Sequence, residues 1–201
     1  PNVKDIPLFL KGKIKFGILN FDSYWTNLIN NFNNNFYKRA SWCKSNLNFS
    51  RFFIFNLFPN ENRFIYLDWD MIVQKDIYEL DKYYLMEDLI VANLKDEENI
   101  LKNIINERKN YNRNLLNKIQ NEFGSNIFEK SFNSGFYIVS RKHFILNNIN
   151  KLIKNLIDFQ KKYDIFKFGT QVIMNLLLIN KTFIDYKWNT NEINKKSNII
   201  H

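Results

Sequence analysis

Phe64-Ile65-Tyr66-Leu67-Asp68-Trp69-Asp70-Met71-Ile72-Val73 is the stretch on which the fold turns. Four consecutive apolar residues follow the turn-forming Pro59-Asn60-Glu61-Asn62 and stop at an acid. That is the pattern of a buried central strand. Met71–Val73 continues it or begins its neighbour. Side chains two apart on a strand share a face, so Asp68 and Asp70 project from one side and Trp69 from the other. Two carboxylates at the carboxyl end of a buried strand form a hard, oxygen-rich site. Such a site suits Mg²⁺ or Mn²⁺ bound together with substrate phosphates, and open α/β sheets bind their ligands at that end. A D-x-D triplet also arises by chance, and two such acids cap a neighbouring helix or face solvent equally well. The setting favours a ligand, because acids directly after buried apolar residues are costly without a cation or donors.

Upstream, Lys13–Leu19 alternates like a short strand. Ser23 then caps a helix with Trp25, Leu28, Ile29, Phe32 and Phe36 on its apolar face. The aromatic run 49–58 reads as a buried helix ending before Pro59. Downstream, 89–92 is a strand, and 97–123 has helical spacing with a polar gap near 107–110 and Gly124 placed to end it. Gly135–Val139 is a strand, 141–160 an amphipathic helix, Thr170 the start of a short helix, and 182–186 a final strand. Strands alternating with helices imply an α/β layer fold, a sheet covered on both faces. No Gly/Pro/Ser linker or internal repeat divides the 201 residues, so 1–201 reads as one domain.

Composition excludes several classes. With 45% apolar and 17% aromatic residues the chain is not disordered. It has 34 Asn and two Ala, the mark of a biased genome rather than of a function. The net charge of +9 suits a phosphate-bearing ligand. Its Lys residues are scattered, with no basic–aromatic stripe for nucleic acid. A single cysteine, Cys43, excludes an internal disulfide and a cysteine metal cage. No apolar run approaches a membrane span and no signal peptide opens the chain, absences that carry little weight in an excerpt; the compartment stays open, with a cytoplasmic place favoured. The chain starts at Pro1 and reads as an excerpt of a longer protein. His143, at a helix start, reads as structural. Trp25, Trp42 and Trp188 read as packing residues.

Five blocks in order carry a resemblance. They are Ser50-Arg51-Phe52-Phe53 leading through the turn to Tyr66-Leu67-Asp68-Trp69-Asp70-Met71-Ile72-Val73 and Asp76-Ile77-Tyr78-Glu79-Leu80; Phe132-Asn133-Ser134-Gly135; Gly169-Thr170-Gln171-Val172-Ile173-Met174-Asn175; Lys187-Trp188-Asn189; and Asn198-Ile199-Ile200-His201. Together, over about 50–201, they resemble the family-8 retaining glycosyltransferases, the glycogenin and lipopolysaccharide galactosyltransferase type. The resemblance implies a GT-A-like (Rossmann-like) α/β fold: a mixed, mostly parallel sheet with helices on both faces. The first strand–helix unit, which reads the uracil, has no counterpart before Lys13.

The roles implied follow from the matched positions. Asp68, Asp70 and His201 would ligate Mn²⁺, with Mg²⁺ as the alternative ion, and Asp68 would also lie near the ribose. Arg51, Trp69, Asn133, Ser134 and Gly135 would line the donor site, Arg51 and Asn133 on the sugar hydroxyls. Gln171 would lie beside the anomeric carbon with Thr170 next to it. The donor would be a UDP-sugar, UDP-glucose or UDP-galactose, and the acceptor a saccharide or protein. Nucleic acid is not an expected partner. The sequence departs from the family at Thr170, where the family has an acid, and at Trp69, where a small or aliphatic residue is usual. The Gly and Lys that grip the diphosphate in the family fall beyond His201. Thr170 motivates the alternative reading, a non-catalytic relic that binds sugar nucleotide or glycan.

Overall fold

Arg63–Leu67 forms strand β1, and Phe136–Ser140 (β4) runs antiparallel to it with Leu67 opposite Phe136 and Arg63 opposite Ser140. The computed structural model describes residues 26, 27, 30, 50–68, 70–84, 88–92, 99, 100, 102, 113–146, 149–163, 170–190 and 197–200. The other strands are β2 (Ile72–Val73), β3 (Leu89–Ala92), β5 (Thr182–Ile184) and β6 (Ile199–Ile200). The helices are α1 (Ile54–Leu57, extending a 3-10 turn at Arg51–Phe53), α2 (Asp81–Tyr84), α3 (Arg113–Phe123), α4 (Arg141–Leu146), α5 (Ile149–Tyr163) and α6 (Gln171–Leu177). Further 3-10 turns cover Ile77–Leu80, Gly124–Phe128 and Tyr186–Trp188.

The main sheet has the order β1-β4-β3-β5, and β2 pairs with β6 in a second, two-stranded sheet. The sheet is mixed, as expected, but its parallel share is smaller than expected among the described strands. Only β3 and β5 run parallel, because β4 inserts between β1 and β3 against the direction of both. β1 stands at one end of this order and is half-buried throughout. The fully buried strands are β3 and β4.

Alternation divides the strands between two cores. Phe64 and Tyr66, Leu89 and Val91, Tyr137 and Val139 meet the aromatic turn (Phe52, Phe53, Phe55) and the apolar stripes of α3, α5 and α6. Ile65, Leu67, Ile90, Ala92, Phe136 and Ile138 face Leu80, Trp188, Ile199, Met71 and Ile77. The sheet is thus covered on both faces. The stretch 141–160 is helical at 141–146 and from 149 onward, and residues 147 and 148 lie outside the described ones. The final strand ends at Ile184, where Asp185 accepts a bond from the Lys187 amide and starts a 3-10 turn. Gly124 has φ +64 with open space around its missing Cβ, so backbone conformation rather than crowding requires glycine there. The strand expected at 13–19 lies outside the described residues. Of the helix expected after Ser23, residues 26, 27 and 30 are described and are helical.

Arg141 ties the aromatic helix to the sheet. Its guanidinium donates to the carbonyls of Phe55 (3.2 Å), Phe58 (2.8 Å) and Glu61 (2.6 Å) and lies 4.9 Å from the Phe55 ring centroid. The last carbonyls of α1 are thereby satisfied by a cation.

His143 is buried on α4, whose first turn is capped by Ser140 Oγ accepting from the His143 amide at 3.1 Å. Ser140 Oγ in turn donates to Asp88 Oδ1 at 2.9 Å. Burial depresses the imidazole to about 4, with Asp88 opposing and Lys181 adding to the shift. As pH falls, the unfolded chain takes up this proton first. The contribution is fully present above about pH 6.5 and is lost as pH drops towards 4. Between pH 7 and 5 the unfolding free energy in urea is expected to fall by on the order of 1–2 kcal/mol from this residue. His143→Gln removes that part of the slope. An unchanged slope in the variant would show that His143 is not its source.

Candidate functional site

β1 delivers Asp68 to the sheet end, where its amide donates to the Gly135 carbonyl at 2.9 Å and extends the β1–β4 ladder by one bond. Asp68 therefore lies opposite the Asn133-Ser134-Gly135 turn that leads into β4. That turn closes on itself: Asn133 Oδ1 accepts from the Gly135 amide at 2.8 Å, an Asx-type bond two residues on. Asn189 Nδ2 donates to the Asn133 carbonyl at 3.2 Å and to its Oδ1 at 3.3 Å.

Arg51 reaches this corner from the turn before α1. Its Nη2 donates to Asp68 Oδ1 at 3.1 Å, and its Nη1 stands 3.4 Å from both Ser134 O and Ser134 Oγ. The Arg51 side chain is 6% exposed and that of Asp68 21%. Buried Arg–carboxylate pairs are retained where the fork geometry and further acceptors complete them, as Ser134 does here. Beneath the guanidinium, at 4.6 Å, lies the Tyr66 ring, whose hydroxyl donates to Asp68 Oδ1 at 2.8 Å.

On the adjoining side, Asn175 of α6 pairs with both backbone groups of Phe132. Its Oδ1 accepts from the amide at 2.8 Å and its Nδ2 donates to the carbonyl at 2.8 Å. The same Nδ2 donates to the Gln171 carbonyl at 2.9 Å. The first turn of α6 is thereby clamped to the residue before Asn133. Gln171 is half-buried at that turn, and Thr170, just before it, is buried with no side-chain capping bond.

The structure thus brings Arg51, Asp68, Asn133, Ser134 and Gly135 into one bonded corner and ties Thr170–Gln171 to its edge. Asp70 is exposed in a turn closed by the Met71 amide on the Asp68 carbonyl at 3.3 Å. Ile200, the residue before His201, pairs with Ile72, two positions after Asp70. Trp69 and His201 themselves lie outside the described residues, as do Trp25, Trp42 and Cys43. Among the described residues no three His, Cys, Asp or Glu stand close enough to hold an ion. The two carboxylates are hard oxygen donors on one short turn, a set that fits a divalent ion sharing its coordination with phosphate oxygens. Arg51 Nε, the Tyr137 hydroxyl and Asn189 Oδ1 are buried atoms without a hydrogen-bond partner among the described residues. Such atoms are rare and cost about 1–3 kcal/mol each, and these three border one corner, which suits a polar ligand.

Tyr66, Asn175 and Asn189 stand in the quoted blocks without a role assigned to them, and Tyr137 lies in the strand that follows Gly135. For Tyr66 a signal existed, since two residues before Asp68 on a strand means the same face.

Over residues 4–199 the chain matches Glycosyl transferase family 8. The chain belongs to this family. The family-8 match reaches upstream of residue 50, where the quoted blocks begin. Among solved structures, the chain is similar to the apo structure of WbbM, a bifunctional glycosyltransferase. The identity is 19%, with 78% of this chain and 31% of that chain covered at a TM-score of 0.54. It is also similar to a galactosyltransferase, LgtC, solved in complex with donor and acceptor sugar analogues. Here the identity is 18%, with 72% of this chain and 46% of that chain covered at a TM-score of 0.49. The likeness to WbbM shows a GT-A-like fold for this family-8 chain, which spans less than half the length of either structure. No curated protein matches it. No helix among the described residues is long and apolar enough to cross a membrane.

Proposed function

We propose that the protein is a retaining hexosyltransferase that moves a sugar from a UDP-sugar, UDP-glucose or UDP-galactose, to a saccharide or protein acceptor. The observation that carries this reading is the Arg51–Asp68–Ser134 corner at the carboxyl end of β1, in a chain of family 8. Asp68 and Asp70, with His201, would hold Mn²⁺ or Mg²⁺. When bound, the ion supplies Lewis acidity to the leaving diphosphate.

The chain's own residues supply the rest. Arg51 places a fixed cation, already oriented by Asp68 and Ser134, where it meets the donor's sugar hydroxyls in this reading. A preorganised charge of this kind costs no reorganisation during reaction. Asn133, locked by Gly135 and Asn189, offers an amide for sugar hydroxyls. Gln171 stands at the clamped turn, beside the anomeric carbon in this reading, and Thr170 lends a hydroxyl next to it.

Thr170 provides the test between enzyme and relic. Its hydroxyl makes a neutral hydrogen bond where the family acid would make a charge-assisted one, roughly twice as strong. A carboxylate there would also sit favourably at the start of α6. Across a panel of UDP-sugars with Mn²⁺, scored for hydrolysis and transfer, Thr170→Asp is expected to raise transfer about two- to tenfold or to shift donor preference. No turnover by wild type on any donor, unrescued by Thr170→Asp, would favour a non-catalytic binder. Strong wild-type activity destroyed by Thr170→Asp would show that the threonine is the working residue.

A further inference from the structure

Asp68 Oδ1 receives two donors from different elements, the Tyr66 hydroxyl at 2.8 Å and Arg51 Nη2 at 3.1 Å. The Tyr66 ring itself has two close neighbours. It lies directly opposite Tyr137 across the β1–β4 ladder, the two rings stacked at 4.8 Å with 10° between their planes. The Arg51 guanidinium covers the Tyr66 ring at 4.6 Å. Tyr137 is fully buried against Phe132 and the first core, so this platform does not shift without opening the core.

We propose that Tyr66 is a positioning residue: its hydroxyl, seated on the Tyr137–Arg51 stack, fixes the rotation of the Asp68 carboxylate towards a divalent cation and the nucleoside diphosphate. The inference rests on the reading of Asp68 as a ligand given under Proposed function. Its physical basis is that a carboxylate at a strand end rotates about two side-chain bonds, and one donor alone leaves it a hinge. Two donors converging on one oxygen from separate directions remove that freedom. Partners that orient a metal ligand from behind commonly govern affinity by about 10- to 100-fold. A purely structural Tyr66 would act through its ring, which Tyr66→Phe preserves along with the stack and the cation contact.

The test titrates Mn²⁺ into the protein with UDP present and follows the free-ion electron paramagnetic resonance signal. Wild type is expected to bind. Tyr66→Phe is expected to bind Mn²⁺ at least about tenfold more weakly, while keeping the wild-type thermal midpoint. In turnover, the Mn²⁺ concentration for half-maximal rate rises more than the rate at saturating Mn²⁺ falls. An affinity within about twofold of wild type would overturn the proposal. If Tyr66→Phe fails to fold, 4-fluorophenylalanine at position 66 fills the hydroxyl's space without donating and is judged by the same criterion. Wild type that binds no Mn²⁺ with UDP would overturn the parent reading and this inference with it. Wild type that binds as well as its folded variant would overturn only the inference.

Discussion

Asp70→Ala is expected to lower Mn²⁺-dependent sugar transfer by about 10²–10³-fold or more at saturating donor, the scale seen when one stabiliser of developing charge is removed. Release of UDP, measured with and without added Mn²⁺, checks it. Asp70 is exposed in the turn after β1. Its replacement should therefore leave the unfolding free energy within about 0.5 kcal/mol of wild type. The loss would then be one of chemistry, not of fold. A variant that turns over at the wild-type rate with wild-type Mn²⁺ dependence would remove Asp70 from the site.

Arg51→Met is expected to damage both fold and activity. Methionine replaces the buried stem but leaves Asp68, Ser134 O and the Tyr66 face without their cation. Breaking a fully buried pair costs about 3–5 kcal/mol; with Asp68 partly open to solvent, about 2–4 kcal/mol is expected in urea unfolding. Turnover of the folded fraction should fall about 100-fold or more, since the preorganised donor to the sugar hydroxyls is gone. Arg51→Lys keeps the charge but loses the two-pronged contact to Asp68 and Ser134, so it should fall between the two. A stable, active Arg51→Met would show that the corner is neither a structural nor a functional element.

Much of the fold was legible because apolar period reports burial. The runs at 64–67 and 89–92 and the strand after Gly135 became β1, β3 and β4, though β1, read as a buried central strand, is half-buried at one end of the described order, and Gly124 ended α3 at a positive φ. Period does not report direction or neighbours. Nothing in Phe136–Ser140 says that it runs against both β1 and β3, nor that β4 rather than β1 is buried from end to end. The site was legible where residue types are rare in context. Asp68 and Asp70 end an apolar run, and Asn133-Ser134-Gly135 opens a strand. Asn175 and Asn189 stand in two of the quoted blocks, but among 34 Asn nothing local assigned them a role. Their roles come from long-range pairing, Asn175 with the Phe132 peptide and Asn189 with Asn133, which no local pattern encodes. The pairing of Arg51 with Asp68 crosses 17 residues and depends on how the aromatic turn packs on β1.

The central claim is that the carboxylates after β1 hold a divalent ion together with a nucleoside diphosphate. Crystals of the protein grown with UDP and Mn²⁺, measured at the manganese absorption edge, test it most directly. The account predicts one anomalous peak within about 2.0–2.5 Å of carboxylate oxygens of Asp68 and Asp70, with a diphosphate oxygen in the same coordination shell. UDP bound with no manganese at these two residues, or manganese held elsewhere, would contradict it.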